Sequence, residues 1–424
     1  MLLRFRVSNF RSIKDEQELS MVASSLSGPM EALVHLEAEG LDALRVAAIY
    51  GANAAGKSNV LEALRFMAAA VKGSHRQWRP EGPIPSEPFL LDEASAGAPS
   101  SFEADLLIDG VRYRYGFKLD SKRILEEWLY AYPKRRERLW FLRDAQAFVF
   151  GKSLRGNNQT IASLTRENSL FLSAAAENNH GMLSPIHSWC ATQLVFNNYS
   201  AYKELFSAKS FPPHRKALTL ALVKLADVGV DDIELKEIPS DKTAKVEKAL
   251  AALVPEQEPP RLDFSAWRSI ELRHASLAAK SGIALPPASE SQGTLAWLSL
   301  AGPLLDVLEM GAVLCVDELD RSLHPRLALE VVRIFEDPIR NPKNAQLIFN
   351  THDTTLLGNL LGGPALRRDQ VWFVEKDSGG ATHLYPLTDF KPRLDENLER
   401  GYLQGRYGAI PFIASTTFAT TEDG

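Results

Sequence analysis

Cysteine is nearly absent from this chain of 424 residues, which contains only Cys190 and Cys315. The two lie far apart, without the spacing of paired metal ligands, which excludes a disulfide framework and a cysteine-based zinc site. Free thiols are typical of a reducing compartment. The chain also lacks an apolar run of 18 or more residues, and residues 2–8 alternate apolar and polar side chains instead of forming a signal core. We therefore predict a cytoplasmic protein with no membrane partner.

An excess of basic residues is absent as well. Lysine and arginine number 48 against 53 acidic residues, for a formal net charge of −5, which argues against a dedicated nucleic-acid-binding domain. The short basic run 134–138 leaves local contact with DNA phosphates open, although such a run is more often a solvated charged turn. No heptad repeat of three or more units occurs, which excludes a long coiled-coil arm.

The apolar pattern predicts an α/β core that is interrupted by an insertion. A short apolar strand ends at Tyr50, and a helix is predicted over 57–72 with an apolar face. Asp109-Gly110 separates two alternating runs, which is typical of a hairpin turn. From about residue 150 the pattern becomes mostly helical. We expect an N-terminal half of the core (1–125), a largely helical insertion (126–280), a C-terminal half of the core (281–390) and a tail (391–424).

A complete phosphate-binding motif follows the strand that ends at Tyr50. Residues 51–58 match G-x-x-x-x-G-K-[ST] in full, with a strand before the motif and a helix after it. In such a loop backbone N–H groups surround the phosphates, Lys57 reaches the β- and γ-phosphate oxygens, and Ser58 ligates Mg²⁺. A glycine-rich turn that merely starts a helix is the bland alternative. The predicted nucleotide-binding residues are Gly51, Asn53, Ala54, Ala55, Gly56, Lys57, Ser58 and Asn59.

Two acids follow a second apolar strand, Val313–Val316. Such a strand suits the centre of a parallel sheet, and it delivers Asp317 to the carboxyl edge where ligands bind. Asp317 is the expected Mg²⁺ ligand, and Glu318 the expected residue that polarises the attacking water. Many strands end in acidic turns, so this pattern gains its meaning from the phosphate loop upstream.

Residues 291–294 precede a long apolar helix, and Ser291 is a good N-cap for it. A cap alone is the commoner meaning of this pattern. The sharper hypothesis is that Ser291 and the bare backbone of Gly293 present a helix N-terminus to a phosphate. His352 follows the apolar strand 347–349, which predicts a position beside the γ-phosphate, although a solvated loop histidine is the ordinary alternative.

Together these motifs occur in the order found in ABC-type ATPases. The chain resembles the SMC/RecF/OLD clade of that superfamily, and most of all the stand-alone AAA-like ATPases described as abortive-infection or OLD-like proteins of bacterial anti-phage defence. The stretches that carry the resemblance are residues 9–13, the phosphate loop, residues 290–294, residues 316–325 and residues 401–411. The insertion at about 125–280 contributes little to it.

The resemblance implies an ABC ATPase head with a mixed β-sheet core, flanking helices and an antiparallel β subdomain. It implies ATP and Mg²⁺ bound between two subunits, with Glu318 as general base, His352 as γ-phosphate sensor and Asp320 in the D-loop. From the other subunit, a signature would complete the site. The residues implied for that signature are Ser291, Gln292, Gly293 and Thr294. Arg11, in the N-terminal stretch, is implied to contact the nucleotide as well.

Two features depart from the family pattern. The glutamine that usually follows the first helix has no clear counterpart, since Gln77 lies in a Pro/Gly-rich stretch. OLD-like nucleases also carry a Toprim domain of about a hundred residues, whereas only 47 residues (424 − 377) follow Asp377, without a cluster of acidic ligands. Any nuclease is therefore expected to be another chain.

Several functions stay open at this point. The first is a homodimeric or higher homo-oligomeric ATPase of an anti-phage or abortive-infection system that regulates a separate effector, such as a Toprim-like or HNH nuclease or a toxin. The second is a RecF- or SMC-like repair or recombination ATPase that binds DNA. A transporter subunit fits poorly because of the long insertion, and a small-molecule kinase gives His352 no role.

Overall fold

Strands and helices follow one another along most of the described chain. The computed structural model describes residues 1–26, 28–197, 206–207, 215–237, 267–276, 282–286, 289–360, 362–363, 365–393 and 396–411. Within them the strands are β1 (Leu2–Ser8), β2 (Gln17–Ser20), β3 (Leu33–Leu36), β4 (Leu41–Leu44), β5 (Val46–Gly51), β6 (Ser100–Ile108), β7 (Val111–Leu119), β8 (Ile124–Tyr132), β9 (Arg138–Asp144), β10 (Ala147–Phe150), β11 (Leu194–Asn197), β12 (Phe206–Ser207), β13 (Val230–Glu237), β14 (Trp267–His274), β15 (Ile283–Leu285), β16 (Val313–Val316), β17 (Gln346–Asn350), β18 (Val371–Lys376) and β19 (Thr382–Pro386). The helices are α1 (Lys57–Gly73), α2 (Glu93–Ala96), α3 (Asn158–Leu164), α4 (Phe171–Glu177), α5 (Ser184–Thr192), α6 (Lys216–Leu225), α7 (Gln292–Met310), α8 (Pro325–Glu336) and α9 (Leu398–Leu403).

A six-stranded sheet forms the centre, in the order β11-β16-β17-β5-β18-β19. Its strands run parallel except for the antiparallel pair β18 and β19 at one edge. All six residues of β5 are buried, with Ala47 and Ile49 facing one core and Ala48 and Tyr50 the other. Because both faces are covered, these strands have the continuous apolar sequences that predicted a central parallel sheet.

A seven-stranded antiparallel sheet, in the order β10-β9-β8-β7-β6-β1-β2, packs on one face of the central sheet. Its apolar side chains share a core with the predicted apolar face of α1. The hairpin expected at Asp109-Gly110 is confirmed, since both residues have positive φ angles, 48° and 73°, as a type I′ turn requires. The predicted α/β class with an antiparallel β subdomain is thereby confirmed.

The expectation for residues 126–280 needs a correction. Residue 126 lies inside β8, which pairs with β7, and β9 and β10 continue the same antiparallel sheet. The rest of the range combines α3 to α6 with strands β11 to β14, so the described part is mixed and not largely helical. The strand pattern of β8 and β9 was obscured because Glu127 and Arg143 are charged residues at fully buried positions, where alternation predicts apolar ones.

The second core lies on the other face of the central sheet, under α7 and α8. The sequence expected as a tail contributes to it: Tyr402 of α9 and Tyr407 stack on Phe373 of β18, with ring centroids 5.4 and 5.7 Å apart. The last residues of the predicted tail, 412–424, lie outside the described residues. Residues 396–411 thus contribute to the second core and do not form a separate appendage.

A small sheet supports the N-terminal part of α7. In it β14 pairs with β12, β13 and β15. Trp297 Nε1 of α7 donates to the carbonyl oxygen of Leu222 in α6 at 2.7 Å, and Leu298 packs with Val223 and Leu272. Among the described helices, none combines the length and the apolar character needed to cross a membrane.

Candidate functional site

The phosphate loop joins β5 to α1, as the motif predicted. Both motif glycines are required by close packing: a Cβ on Gly51 would lie 2.3 Å from the carbonyl oxygen of Val374, and one on Gly56 would lie 2.2 Å from Thr382 Oγ1. Gly56 also has a φ of 108°, which strongly favours glycine. Ala54 adopts a left-handed conformation as well, with φ 61°. The loop is therefore held in a bent form against β18 and β19.

Lys57 is the first residue of α1, and its side chain returns beneath the loop. Its Nζ donates to the carbonyl oxygens of Gly51 and Ala52, both at 2.9 Å. Burial lowers the pKa of this ammonium group, while the carboxylates of Asp320 and Glu318 act in the opposite direction. An ammonium group has three N–H donors. Two are used within the loop, which leaves one donor for a phosphate oxygen.

Ser58 and Asp317 meet at the carboxyl edge of the central sheet. Ser58 Oγ donates to Asp317 Oδ1 at 2.8 Å. Two oxygen ligands in adjacent positions of a Mg²⁺ octahedron lie about 2.9 Å apart, because each bond is about 2.0–2.1 Å long. The pair therefore fits Mg²⁺ without rearrangement. Among the described residues no group of three or more His, Cys, Asp and Glu side chains could hold a metal alone, so phosphate oxygens and water would complete the shell.

Asn350, the last residue of β17, fixes both acids that follow the neighbouring strand β16. It is fully buried, and its Nδ2 donates to Asp317 Oδ1 at 2.5 Å. Its Oδ1 accepts from the backbone N–H of Glu318 at 2.6 Å. Glu318 itself has a left-handed backbone with φ 56°, a conformation that is uncommon for a non-glycine residue. The bond from its N–H to the Asn350 amide anchors the backbone at this turn.

Asp320 connects the loop after Glu318 to the predicted phosphate sensor. Its Oδ1 accepts from Thr351 Oγ1 at 2.7 Å and from the backbone N–H of His352 at 3.2 Å. Desolvation lowers the pKa of His352, and the nearby Lys57 ammonium lowers it further. The imidazole is therefore neutral at pH 7, and its ring can donate a hydrogen bond through one nitrogen.

One pocket of about 480 Å³ collects most of the predicted site residues. Asn53, Ala54 and His352 are exposed at its rim. The residues that line it are Asn53, Ala54, Gly56, Lys57, Ser58, Asn59, Glu318, His352 and Lys376. The pocket thus unites the loop, the expected base and the expected sensor in one chain.

Arg11 does not line this pocket. Its guanidinium pairs with Glu87 at 3.0 Å and lies 3.8 Å from Glu62. Its neighbour Ser12 is closer to the loop, since Ser12 Oγ accepts from Asn59 Nδ2 at 2.6 Å and bonds Thr382 Oγ1 at 2.7 Å. The N-terminal stretch therefore braces the phosphate loop, with Ser12 rather than Arg11 in contact with the loop residue.

The predicted signature residues lie at the start of α7, outside the residues that line the pocket. Ser291 is the N-cap, and its Oγ accepts from the N–H of Thr294 at 3.1 Å, as the cap interpretation predicted. Ser291 and Gln292 are exposed. A Cβ on Gly293 would lie 3.0 Å from the carbonyl oxygen of Ser322. The helix start therefore presents an exposed face next to the loop that contains Asp320.

Gln77, the candidate for the glutamine after the first helix, is exposed and does not line the pocket. Sequence reasoning also missed Ser12, Asn350 and Thr382, which bond the loop or the acids, and Lys376, which lines the pocket. Asn350 alone left a usable signal, as a polar residue that ends an otherwise apolar strand. The others depend on β18, β19 and the N-terminal turn meeting at the loop, which no local pattern encodes.

Most of this chain matches the model of a known protein family. The family model described as "AAA domain, putative AbiEii toxin, Type IV TA system" matches residues 46–358, from the first residue of β5 to beyond His352. The chain belongs to this AAA-domain family. The resemblance to AAA-like ATPases of the abortive-infection type is thereby confirmed. No curated protein sequence matches this AAA-domain chain.

Three solved SMC head structures are also similar to this AAA-domain protein. The first, an SMC head bound to the C-terminal winged-helix domain of ScpA, has 14% identity and a TM-score of 0.45 over 91% of this chain and 97% of that chain. The SMC head of Thermotoga maritima has 14% identity and a TM-score of 0.40 over 91% and 98%. A Pyrococcus furiosus head with an extended coiled coil has 13% identity and a TM-score of 0.38 over 92% and 97%.

Proposed function

We propose that this AAA-domain protein binds ATP with Mg²⁺ and hydrolyses it in the pocket beneath its phosphate loop. The observation that carries the proposal is the uncommitted donor of Lys57 next to the Ser58–Asp317 oxygen pair. Mg²⁺ would be held by Ser58 and Asp317 and would neutralise phosphate charge. Lys57 binds the outer phosphates, and the neutral His352 donates to the γ-phosphate.

Glu318 is the proposed general base. Its carboxylate lines the pocket, is about half exposed, and is 3.6 Å from Arg321. It can therefore accept a proton from a water that attacks the γ-phosphate. The bond from the Glu318 N–H to Asn350 anchors the turn that carries this carboxylate. Asp320 positions His352 through the main chain.

Glu318→Gln tests the assignment of the base. The amide keeps the shape of the side chain but cannot take a proton, so we expect kcat to fall by about 10²–10⁴-fold while ATP binding persists. Glu93→Gln, on the exposed helix α2, is the matched control and should retain full turnover. A Glu318→Gln enzyme with unchanged turnover would remove Glu318 from the mechanism.

We further propose that two copies close over ATP. The pocket rim is exposed, and Ser291 and Gln292 at the exposed start of α7 do not line the pocket of their own chain. A second helix N-terminus supplied by a partner copy would add N–H donors to the γ-phosphate. Dimerisation would then depend on bound ATP, which makes it a signal.

Mixing two inactive variants tests this shared site. Ser291→Arg blocks the proposed signature, and Lys57→Met blocks the phosphate loop, so each homodimer should be inactive. A mixed dimer contains one intact pair of loop and signature, and the mixture should regain hydrolysis that neither variant has alone. Inactive mixtures, with no ATP-dependent increase in mass of the Glu318→Gln protein, would contradict the shared site.

The biological role that we propose is regulation of a separate effector in bacterial anti-phage or abortive-infection defence, within the cytoplasm. The description of the matched family, which names a putative AbiEii toxin of a type IV TA system, supports the defence part of this role. The effector would be another chain, a nuclease of Toprim-like or HNH type or a toxin. Co-purification with the products of neighbouring genes, with and without ATP, tests it, and an ATPase that binds none of them would count against it.

A RecF- or SMC-like role on DNA is the second candidate, and one observation favours it. Residues 134–138 contain Lys134, Arg136 and Arg138, all exposed, on one turn of the antiparallel subdomain, whereas Arg135 is bonded to carbonyl oxygens of residues 37 and 38. Stimulation of ATP turnover by duplex DNA that disappears at higher salt would support this candidate. ATP turnover that is unchanged by duplex DNA would exclude this DNA-binding role.

A further inference from the structure

Lys376 lies at the carboxyl end of β18, directly beside the phosphate loop. Strand β18 pairs in parallel with β5, and Val374 is opposite Gly51, the first residue of the loop. Lys376 itself is opposite Thr382 of β19. Thr382 Oγ1 donates to the carbonyl oxygen of Ala55 at 2.9 Å. Strand β18 is therefore connected to the loop directly through β5 and indirectly through Thr382 of β19.

The acids next to Lys376 in the sequence are bonded elsewhere. Glu375 Oε2 accepts from Tyr385 OH at 3.0 Å and from the N–H of Ala409 at 3.2 Å, on the opposite face of β18. Asp377 closes the following turn and accepts from His383 Nε2 at 3.0 Å. Among the described residues, no carboxylate lies within ion-pair distance of the Lys376 ammonium group. Its charge is therefore available to a ligand of the pocket that it lines.

Lys376 also reaches the pocket from a different side than the metal ligands. The strand order is β16-β17-β5-β18, so Asp317 follows a strand on one side of the loop and Lys376 ends a strand on the other. Mg²⁺ at Ser58 and Asp317 would neutralise one side of a triphosphate and leave the other side negatively charged. A lysine on that second side is placed to neutralise it.

We propose that Lys376 is a second phosphate-binding cation, which enters the nucleotide pocket from β18 opposite the metal ligands. This inference rests on the proposed function, because it requires a nucleotide in the pocket. It assigns Lys376 to ground-state binding of the phosphate chain in both ATP and ADP. The side chain is exposed at the pocket, so its loss should raise the dissociation constants of both nucleotides.

Calorimetric titration with ATP and with ADP tests the proposal. We expect Lys376→Ala to weaken both nucleotides about tenfold, which is the effect of about 1.4 kcal/mol of lost charge interaction. Lys376→Glu should weaken them about 100-fold, and Lys376→Arg should stay within about twofold of the parent because its charge is retained. The loss in Lys376→Ala should shrink as salt is raised, since exposed charges are screened.

Lys152→Ala is the matched control, because Lys152 is an exposed lysine outside the pocket. Thermal unfolding of every variant confirms that the fold is intact. Parental affinity in Lys376→Ala and Lys376→Glu, together with loss of binding in Lys57→Met, would overturn the inference and leave the proposed function standing. A parent protein that binds neither nucleotide would overturn both.

Discussion

The buried cations Lys57 and Arg143 differ in how completely their N–H donors are hydrogen-bonded within the protein. Arg143 is fully buried, donates to carbonyl oxygens at 2.6–3.3 Å, and lies 3.6 Å from the equally buried Glu127. Glu127 in turn accepts from the N–H groups of Phe171 and Leu172 at the start of α4. Lys57 has only two carbonyl partners. A buried cation that is extensively hydrogen-bonded within the protein stabilises the fold, whereas one with a spare donor is available to bind a ligand.

We expect the greatest change at the buried pair of Arg143 and Glu127. Arg143→Met should lower the free energy of unfolding by about 3–5 kcal/mol, because it leaves the buried carboxyl group of Glu127 without its cation, in a site where burial already raises its pKa. Chemical denaturation measures the loss. The double variant Arg143→Met/Glu127→Leu should recover most of it, since no buried charge remains. Equal destabilisation of the single and double variants would show that packing, and not charge, is the cause.

Lys57→Met should weaken nucleotide binding strongly and change stability little, the reverse of what we expect for Arg143→Met. We expect nucleotide affinity to fall about 100-fold through the lost charge-assisted bond to phosphate, while the free energy of unfolding changes by less than about 1 kcal/mol because a partly satisfied buried charge is removed. Calorimetric titration and denaturation measure the two quantities. Lys72→Met, in the last turn of the same helix and exposed, is the control. A strongly destabilised Lys57→Met would remove the contrast between the two cations.

Asn350 offers a further contrast, because its amide bonds Asp317 and the Glu318 N–H but not Lys57. Asn350→Leu removes the partner of a charged carboxylate and of the Glu318 N–H, and we expect kcat to fall about 10–100-fold. The Mg²⁺ concentration for half-maximal activity should rise, whereas ADP binding without metal should be unchanged. A variant that lost ADP binding as well would instead have a damaged phosphate loop.

The last prediction is a pH effect at Glu336, whose largely buried carboxylate accepts from Gln370 Nε2 at 3.0 Å. Burial raises its pKa to about 7. The folded protein therefore binds more protons than the unfolded chain between about pH 4.5 and 7, so this group makes stability fall as the pH rises through that window, by about 1–3 kcal/mol. Glu336→Gln should flatten this part of the profile. An unchanged pH profile would mean that the carboxylate stays charged.

Much of the site could be predicted because its chemistry is local in the sequence. The phosphate loop needs Gly51, Gly56, Lys57 and Ser58 within eight successive residues, and the acid pair must follow an apolar strand directly. Both patterns therefore identify their residues without knowledge of the fold. Lys376 and Thr382 could not be predicted, because their relation to the loop arises only when β18 and β19 pair beside β5.

The antiparallel subdomain shows the same limit in the fold. The hairpin at Asp109-Gly110 is local, and its turn residues predict it. Strands β8 and β9 were missed because Glu127 and Arg143 break the apolar alternation, and their compatibility with a core depends on bonds to each other and to α4.

A P-loop core with Lys57, Ser58, Asp317 and Glu318 is predictable from residue order alone, because the steric and chemical demands on each lie within a few neighbouring residues. Which buried charges are fully hydrogen-bonded, and which keep a donor for a ligand, becomes visible only in the folded chain. That difference depends on the number of donors and acceptors that distant segments bring to each buried group, which residue order does not specify.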